Sequence, residues 1–178
     1  GKDGKWVLEL DPLKASSEPA EMVIQESGVR GQESGKTETL KDILVGEVWL
    51  ASGQSNMQWL AGKCVVGRVV QKGILERVAA GEEEMPLIRE AQIPGFVASL
   101  VAQEKGKAQW SSDWANHSAI AFAFAYEIQR ELKVPVGIVN CSFSSTPIQT
   151  WVHRDGYKDG ADGFTKAVYQ KILEGDPT

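Results

Sequence analysis

Residues 43–56, ILVGEVWLASGQSN, join a nearly continuous apolar run to a short polar turn. An apolar run such as 43–51 is typical of a strand that is buried on both faces of a parallel sheet, which would place Trp49 in the core. The polar turn 52–56 follows at the carboxyl end of that strand, where open α/β sheets hold their functional sites. This stretch therefore predicts both a buried strand and a first candidate site.

Downstream, apolar residues return with the period of a helix in two places. They recur every four positions from Val66 to Val78 and again from Ile120 to Leu132, which predicts two amphipathic helices. Two strand-like runs and a weaker helix complete the pattern, at residues 86–93, 134–139 and 164–173. Strands that alternate with helices predict an α/β domain with a mainly parallel sheet, over residues 43–178.

The beginning of the chain has a different pattern. Strand-like runs lie at 6–10, 20–24 and 37–40, and turn residues rather than a helix separate them. This order predicts an antiparallel β segment. Because three short strands are only marginally stable alone, residues 1–42 are expected to pack on another part of the protein.

The composition excludes several classes of function. The chain has 178 residues and is 42% apolar, which is enough for a packed core in one domain. Its 19 Lys and Arg against 24 Asp and Glu give a net charge of −5, the opposite of the balance that a nucleic-acid binder needs. No apolar run approaches the roughly 20 residues of a membrane-spanning helix. Glycine-rich phosphate motifs and metal-ligand spacings are also missing, so neither a cofactor nor a metal is expected.

A second polar loop, residues 140–147, follows the other strongly apolar strand. Both polar loops thus occur where α/β sheets hold their sites. A serine on a strand-to-helix turn lies near amide groups that stabilise an oxyanion, but Ser and Asn are also common helix caps. Met57 occupies the second glycine position of a Gly-x-Ser-x-Gly elbow, so that motif is absent. Spacing alone therefore favours the capping interpretation of the turn 52–56.

The residue identities change that balance. Four stretches in the same order resemble the sialate O-acetylesterase family, at residues 46–59 (GEVWLASGQSNMQW), 118–127 (SAIAFAFAYE), 132–142 (LKVPVGIVNCS) and 146–151 (TPIQTW). This family is a branch of the SGNH (GDSL-like) hydrolases and is related to the family 6 carbohydrate acetylesterases. The resemblance implies a three-layer α/β/α, flavodoxin-like core, with residues 1–42 belonging to an accessory β-sandwich. It also implies an acetylated sugar as substrate and a secreted or periplasmic location.

The same resemblance implies roles for five residues. Ser55 matches the family nucleophile, and its backbone N–H would contribute to the oxyanion hole. The family usually has two glycines where this chain has Ser144 and Ser145, and the second oxyanion donor is assigned to the N–H of Ser145. That assignment requires loop torsions that a residue with a Cβ can adopt. Gln54 and Gln149 match positions that line the family's pocket.

The general base is missing from the recognised motifs. A serine hydroxyl needs a neighbouring base to take its proton. The family supplies it from an Asp-x-x-His block near its C-terminus, which this chain lacks; its two histidines are His117 and His153. We therefore expect the base to come from a part of the polypeptide downstream of Thr178. Because losing the base lowers turnover by orders of magnitude, this chain alone should be nearly inactive.

An alternative function remains open at this point. The scaffold could be a non-catalytic remnant that binds carbohydrate without hydrolysing it. Tryptophans such as Trp59, Trp110, Trp114 and Trp151 could stack on sugar rings, although aromatic residues more often fill a core. Reaction of Ser55 with a serine-directed reagent would distinguish the esterase from the binding remnant.

Overall fold

The structure is a computed structural model that describes residues 7, 9–25, 35–93 and 108–152, together with seven single positions from 156 to 174. The strands predicted at 20–24 and 37–40 are confirmed as β1 (Ser16–Gln25) and β2 (Thr37–Val45), which pair antiparallel. In the predicted strand 6–10, Val7, Glu9 and Leu10 lie outside any strand, and the other two residues lie outside the described part. The predicted helix 164–173 also falls largely outside it.

A second sheet has four strands in the order β3-β6-β4-β5. They are β3 (Glu47–Gly53), β4 (Ile88–Gln92), β5 (Trp110–Ser111) and β6 (Val136–Ser142). Strands β3 and β4 run parallel to β6 on either side of it, and β5 pairs antiparallel with β4. The predicted α/β class and mainly parallel sheet are therefore confirmed for the described residues.

The prediction that 43–51 forms one strand buried on both faces is wrong. The run is divided at Gly46 between β2 and β3, where a Cβ would lie 2.0 Å from the Pro135 carbonyl oxygen, so only glycine permits this close approach. Within the described sheet β3 lies at an edge, and Val48 and Leu50 are 65% and 70% exposed. Trp49 is 41% exposed rather than in the core, because the helix above the sheet covers β6 and β4 more than β3.

Both predicted helices are confirmed, as α2 (Val65–Ala79) and α3 (Ala119–Leu132), and a single short turn of helix, α1 (Ser55–Gln58), precedes them. The Cys64 thiol caps α2 by accepting the Gly67 N–H at 3.1 Å. The Ser118 hydroxyl caps α3 by accepting the Ala121 N–H at 3.2 Å. None of the helices that the structure describes is long and apolar enough to cross a bilayer.

The face that α3 buries is not the one its four-residue spacing indicated. Ile120, Phe124 and Leu132 remain about half exposed. The buried face consists instead of Ala121, Phe122, Ala125 and Tyr126. Small residues at positions 121 and 125 let the helix axis approach the sheet closely, and this close packing outweighs the larger apolar area of the other stripe. Phe124 still contacts the edge of the Trp49 ring, with centroids 5.1 Å apart.

One core joins both long helices to one face of the sheet. Its members are Ala51, Ile74, Ile88, Ala121, Phe122, Ala125, Tyr126, Val136 and Ile138. On the other face, the Trp110 ring lies directly over Gly137, where a Cβ would come within 3.0 Å of the indole. This arrangement brings the carboxyl ends of β3, β6 and β4 to one edge of the sheet, where the two polar loops begin.

Candidate active site

The two polar loops leave the sheet side by side. Gly53 at the end of β3 is paired with Ser142 at the end of β6. Just beyond the strands, the Phe143 N–H donates to the Gly53 carbonyl at 2.8 Å. The Ser144 N–H donates to the side-chain oxygen of Gln58 at 2.8 Å, so the second loop is attached directly to helix α1. The structure thus brings the two sequence-predicted loops together.

Ser55 is the first residue of α1 rather than its cap. Gln54 occupies the cap position, and its side chain makes no capping hydrogen bond. The Ser55 hydroxyl points to the Gln54 side-chain oxygen at 3.4 Å and stays partly exposed. As the first helical residue, Ser55 also has a backbone N–H without a partner inside the helix. The capping interpretation of this serine is therefore not supported, and its hydroxyl is left accessible.

A cleft of about 380 Å³ opens at this serine. It is lined by Ser55, Gln58, Trp59, Leu60, Lys63, Gln92 and Ser144. A second, more apolar cavity of about 610 Å³ adjoins the cleft, because Trp59 and Lys63 line both. Of the residues predicted from sequence, Ser55 and Ser144 therefore share the cleft. Gln92 was missed, although its place at the carboxyl end of β4 puts it at the same sheet edge as the two loops.

The other predicted site residues do not line this cleft: Gln54 and Ser145 are exposed neighbours in sequence of residues that do, and the side chain of Gln149 is outside the described part. Ser145 is exposed and has φ of +63°, a left-handed conformation that favours the glycine found there in the family. Among the described residues its N–H has no hydrogen-bond partner, whereas the Ser144 N–H is occupied by Gln58. Gln149 lies in a 3₁₀ helix (Ile148–Trp151), and its side chain is outside the described part.

Two hydrogen bonds connect the second loop to the residues that follow it. The Trp151 indole N–H donates to the Thr146 hydroxyl at 3.0 Å, and that hydroxyl donates to the Phe143 carbonyl at 2.8 Å. Residues 143–151 therefore fold back on themselves. The indole of Trp151 thus serves the loop as a hydrogen-bond donor, and Trp59 is the tryptophan that lines the cleft.

His117 is placed as a structural residue. Its ring is almost fully buried beside Phe122, and its Nε2 donates to the Ser111 carbonyl at 2.9 Å. Burial lowers the pKa of the His117 imidazole, and the opposing attraction of the Glu90 carboxylate does not offset it. A neutral histidine whose partners are Ser111 and Phe122 is not arranged to take a proton from Ser55. His153, the other histidine, lies outside the described residues.

A buried group of polar side chains lies beneath the cleft and was not predicted. Glu90 on β4 is 3% exposed and Asn140 on β6 is 1% exposed, and the two are bonded at 2.8 Å. The only sequence signal was an acidic residue at an inward position of the strand IREAQ. The part of the chain that the structure describes holds no group of three metal-ligating side chains, and its two cysteines are free thiols.

Comparison with known proteins places this geometry in a family. The family model described as a carbohydrate esterase, sialic acid-specific acetylesterase, matches residues 45–175. The sialate O-acetylesterase of Rattus norvegicus is 28% identical over 190 residues, covering 98% of this chain and 32% of that protein. The human sialate O-acetylesterase is 29% identical over 153 residues, covering 82% of this chain and 28% of that protein. The chain therefore spans about a third of the length of the curated relatives it matches.

A solved structure is similar as well. The crystal structure of a carbohydrate acetylesterase from Xanthomonas citri matches with a TM-score of 0.58 and 25% sequence identity. The match covers 70% of this chain and 28% of that one. The similarity therefore extends from the sequence motifs to the arrangement of strands and helices.

Proposed function

The chain belongs to the sialic acid-specific acetylesterase family of carbohydrate esterases, and we propose that it carries the nucleophile and the oxyanion-binding loop of an enzyme that removes O-acetyl groups from sugars. The observation that carries this proposal is the shared cleft: the partly exposed Ser55 and Ser144, which follow the ends of two different strands, line one cavity of about 380 Å³. A cleft of this size can admit an acetyl ester and part of its sugar.

The proposed reaction begins with attack of the Ser55 hydroxyl oxygen on the acetyl carbonyl carbon. In this proposal the tetrahedral oxyanion accepts hydrogen bonds from the backbone N–H groups of Ser55 and Ser145, neither of which bonds to another of the described residues. Collapse of this intermediate breaks the ester bond, releases the sugar hydroxyl and leaves an acetyl-serine. Water then hydrolyses the acetyl-serine to acetate and regenerates the Ser55 hydroxyl.

A base must take the Ser55 proton and return it to the departing sugar oxygen. We assign this role to a histidine outside the described residues, because the partners of His117 commit it elsewhere. We propose that this histidine lies downstream of Thr178, in the remainder of the polypeptide. The chain by itself should then bind an ester correctly but turn it over slowly.

The fold proposal is the SGNH hydrolase class with a three-layer core. Both long helices contribute to the core on one face of the sheet. The opposite face carries Val48 and Leu50, which are exposed apolar residues of the kind a second helical layer covers. Residues 1–42 would belong to an accessory β-sandwich, which fits the separate sheet formed by β1 and β2.

A non-catalytic sugar-binding remnant is the second candidate, and one observation favours it. The Trp59 side chain is more than half exposed and lines both the cleft and the adjoining cavity, so a sugar ring could stack on it in either case. Stacking alone would not require a reactive serine beside it. Reactivity of Ser55 therefore distinguishes the two candidates.

The test measures hydrolysis of p-nitrophenyl acetate and labelling by a fluorophosphonate, for this chain and for the full-length gene product. We expect the full-length protein to be active and labelled, and Ser55→Ala to remove both properties by several orders of magnitude. Ser52→Ala is the matched control, because Ser52 is an exposed serine near the end of β3 that does not line the cleft. Activity or labelling that survives Ser55→Ala would contradict the esterase assignment, and sugar binding without any labelling would favour the remnant.

A further inference from the structure

A buried chain of hydrogen bonds runs from β4 to the loop after β6. Asn140 donates its side-chain N–H to Glu90 Oε1 at 2.8 Å. The Asn140 Oδ1 in turn accepts the Ser142 hydroxyl at 2.6 Å and the Ser142 backbone N–H at 3.1 Å. All three side chains are buried. Buried polar groups that are fully bonded in this way fix the geometry of the segments they join.

Glu90 determines which atoms donate and which accept in this series of hydrogen bonds. Each hydrogen-bonding partner of its carboxylate is a donor: the Asn140 amide, and the Ser118 backbone N–H at 3.0 and 3.2 Å from the two oxygens. Since the Glu90 oxygens act here only as acceptors, the asparagine turns its NH₂ toward Glu90. Its oxygen then necessarily faces Ser142. If the Asn140 amide were flipped, its oxygen would face the Glu90 carboxylate oxygen, and its NH₂ would face the N–H and O–H donors of Ser142.

Ser142 is the last residue before the oxyanion-binding loop. The next two residues attach to the serine turn, through the Phe143 N–H to Gly53 and the Ser144 N–H to Gln58. Ser145 then adopts its left-handed conformation, which is unfavourable for a residue with a side chain and needs support from its surroundings. Fixing the Ser142 peptide therefore fixes the start of the path that leads to the Ser145 N–H.

Glu90 also reaches the serine turn by a second route. Ser118 donates its backbone N–H to Glu90 and its hydroxyl to the Met57 sulfur, the latter at 3.5 Å. Met57 lies two residues after Ser55 in α1. One buried carboxylate is thus linked both to the helix that carries the nucleophile and to the loop that carries the second oxyanion donor. We propose that Glu90, acting through Asn140, is a positioning residue that holds the Ser145 N–H in register with Ser55; this inference rests on the proposed function.

The test is an exchange of the two side chains in the full-length gene product. In E90Q the introduced amide can donate as well as accept, so the direction of Asn140 is no longer fixed. In N140D two carboxylates face each other. In the double variant E90Q/N140D the carboxylate moves from position 90 to position 140, and the bonds along the series are restored in the opposite direction at position 90. Only the longer Ser118 contact, at 3.2 Å to Oε1, is lost, because an amide nitrogen takes the place of that oxygen. The introduced glutamine accepts from Ser118 and donates to the introduced aspartate, and the aspartate accepts both Ser142 donors.

We expect each single variant to lower kcat for acetyl-ester hydrolysis by about 10- to 100-fold, since misplacing one oxyanion donor by about 1 Å has an effect of that order. KM should change by less than about 3-fold, because the cleft walls are untouched. The double variant should recover most of the lost kcat. The fluorophosphonate labelling rate per folded molecule should follow kcat in all three.

E83Q is the matched control. Glu83 is a partly buried glutamate that also has hydrogen bonds to other side chains, and its partners Arg77 and Tyr126 lie on α2 and α3 rather than in either loop. E83Q should lower the free energy of unfolding and leave kcat per folded molecule unchanged. The inference is overturned if E90Q keeps the wild-type kcat, or if the double variant recovers no more than the single ones. If N140D does not fold, the E90Q result alone decides.

Ser55→Ala distinguishes a failure of the proposed function from a failure of the positioning role of Glu90. If it retains activity, the proposed function fails. If it is inactive while E90Q behaves as wild type, only the positioning role of Glu90 fails.

Discussion

Two glycines of α2 should respond in opposite directions to the same substitution. At Gly67 a Cβ would lie 2.5 Å from the Ala61 carbonyl oxygen and 2.7 Å from the Ala61 Cα, so backbone atoms would have to move. At Gly73 a Cβ would meet only the Arg77 guanidinium at 3.6 Å, which is an ordinary contact. Replacing glycine by alanine within a helix stabilises by about 1 kcal/mol when nothing obstructs it. Overpacking against rigid atoms costs about 1–3 kcal/mol.

Gly73→Ala should therefore raise the free energy of unfolding by about 0.5–1 kcal/mol. Gly67→Ala should lower it by about 1–2 kcal/mol, because the clash exceeds the gain in helix propensity. For a chain of this size the two melting temperatures should differ by about 3–12 °C. Urea titration followed by circular dichroism measures the free energies, and thermal scans measure the melting temperatures. If Gly67→Ala proves as stable as Gly73→Ala, the close packing of α2 on the segment that follows Ser55 is wrong.

Three further predictions concern single residues. Ser145→Gly should stabilise the protein by about 0.5–1 kcal/mol in urea titrations, because its left-handed backbone disfavours a side chain; a loss of stability would contradict that conformation. Burial lowers the pKa of His117 below 6.5, so the unfolded chain binds the proton more readily than the folded protein does. The free energy of unfolding should therefore fall as the pH drops through 6.5. His117→Gln should flatten this pH dependence, and an unchanged slope would contradict the lowered pKa. Burial alone would raise the pKa of Glu83, but its hydrogen bonds to Tyr126 and Arg77 hold that pKa below 4.5. The free energy of unfolding should therefore decrease as the pH falls from 4.5 through the lowered pKa. Glu83→Gln should remove this decrease.

The sequence was sufficient to locate both long helices and most of the described strands, but not the faces that they bury. Helical periodicity depends on neighbours along the chain, so α2 and α3 were found close to their observed bounds. Which stripe of α3 enters the core depends on how closely the helix approaches the sheet. That distance is set by alanines at 121 and 125 together with residues far away in sequence. The apolar run 43–51 was divided for a similar reason, since the obstruction at Gly46 comes from Pro135.

The candidate site was predictable only where a motif carried it. Ser55 was found because it lies in a stretch that resembles a family. Ser144 was found because it lies between two such stretches, at a position where the family usually has glycine, and the structure places both serines in one cleft. Gln58 and Glu90 were missed because their partners are separated from them by long stretches of chain: Ser144 for Gln58, and Asn140 and Ser118 for Glu90. A local pattern cannot show that an amide or a carboxylate will find such a partner after folding.

The contact between Trp110 and Gly137 restricts how related sequences can diverge. A Cβ at position 137 would lie 3.0 Å from the indole, so a side chain there requires the ring to shift, by a few tenths of an ångström for alanine and by more for a larger residue. The two positions should therefore vary as a pair: homologues that have lost the tryptophan gain freedom at 137, and those that keep it retain glycine. Substitutions at positions 110 and 137 should thus accumulate as coupled pairs during evolution rather than as independent single changes.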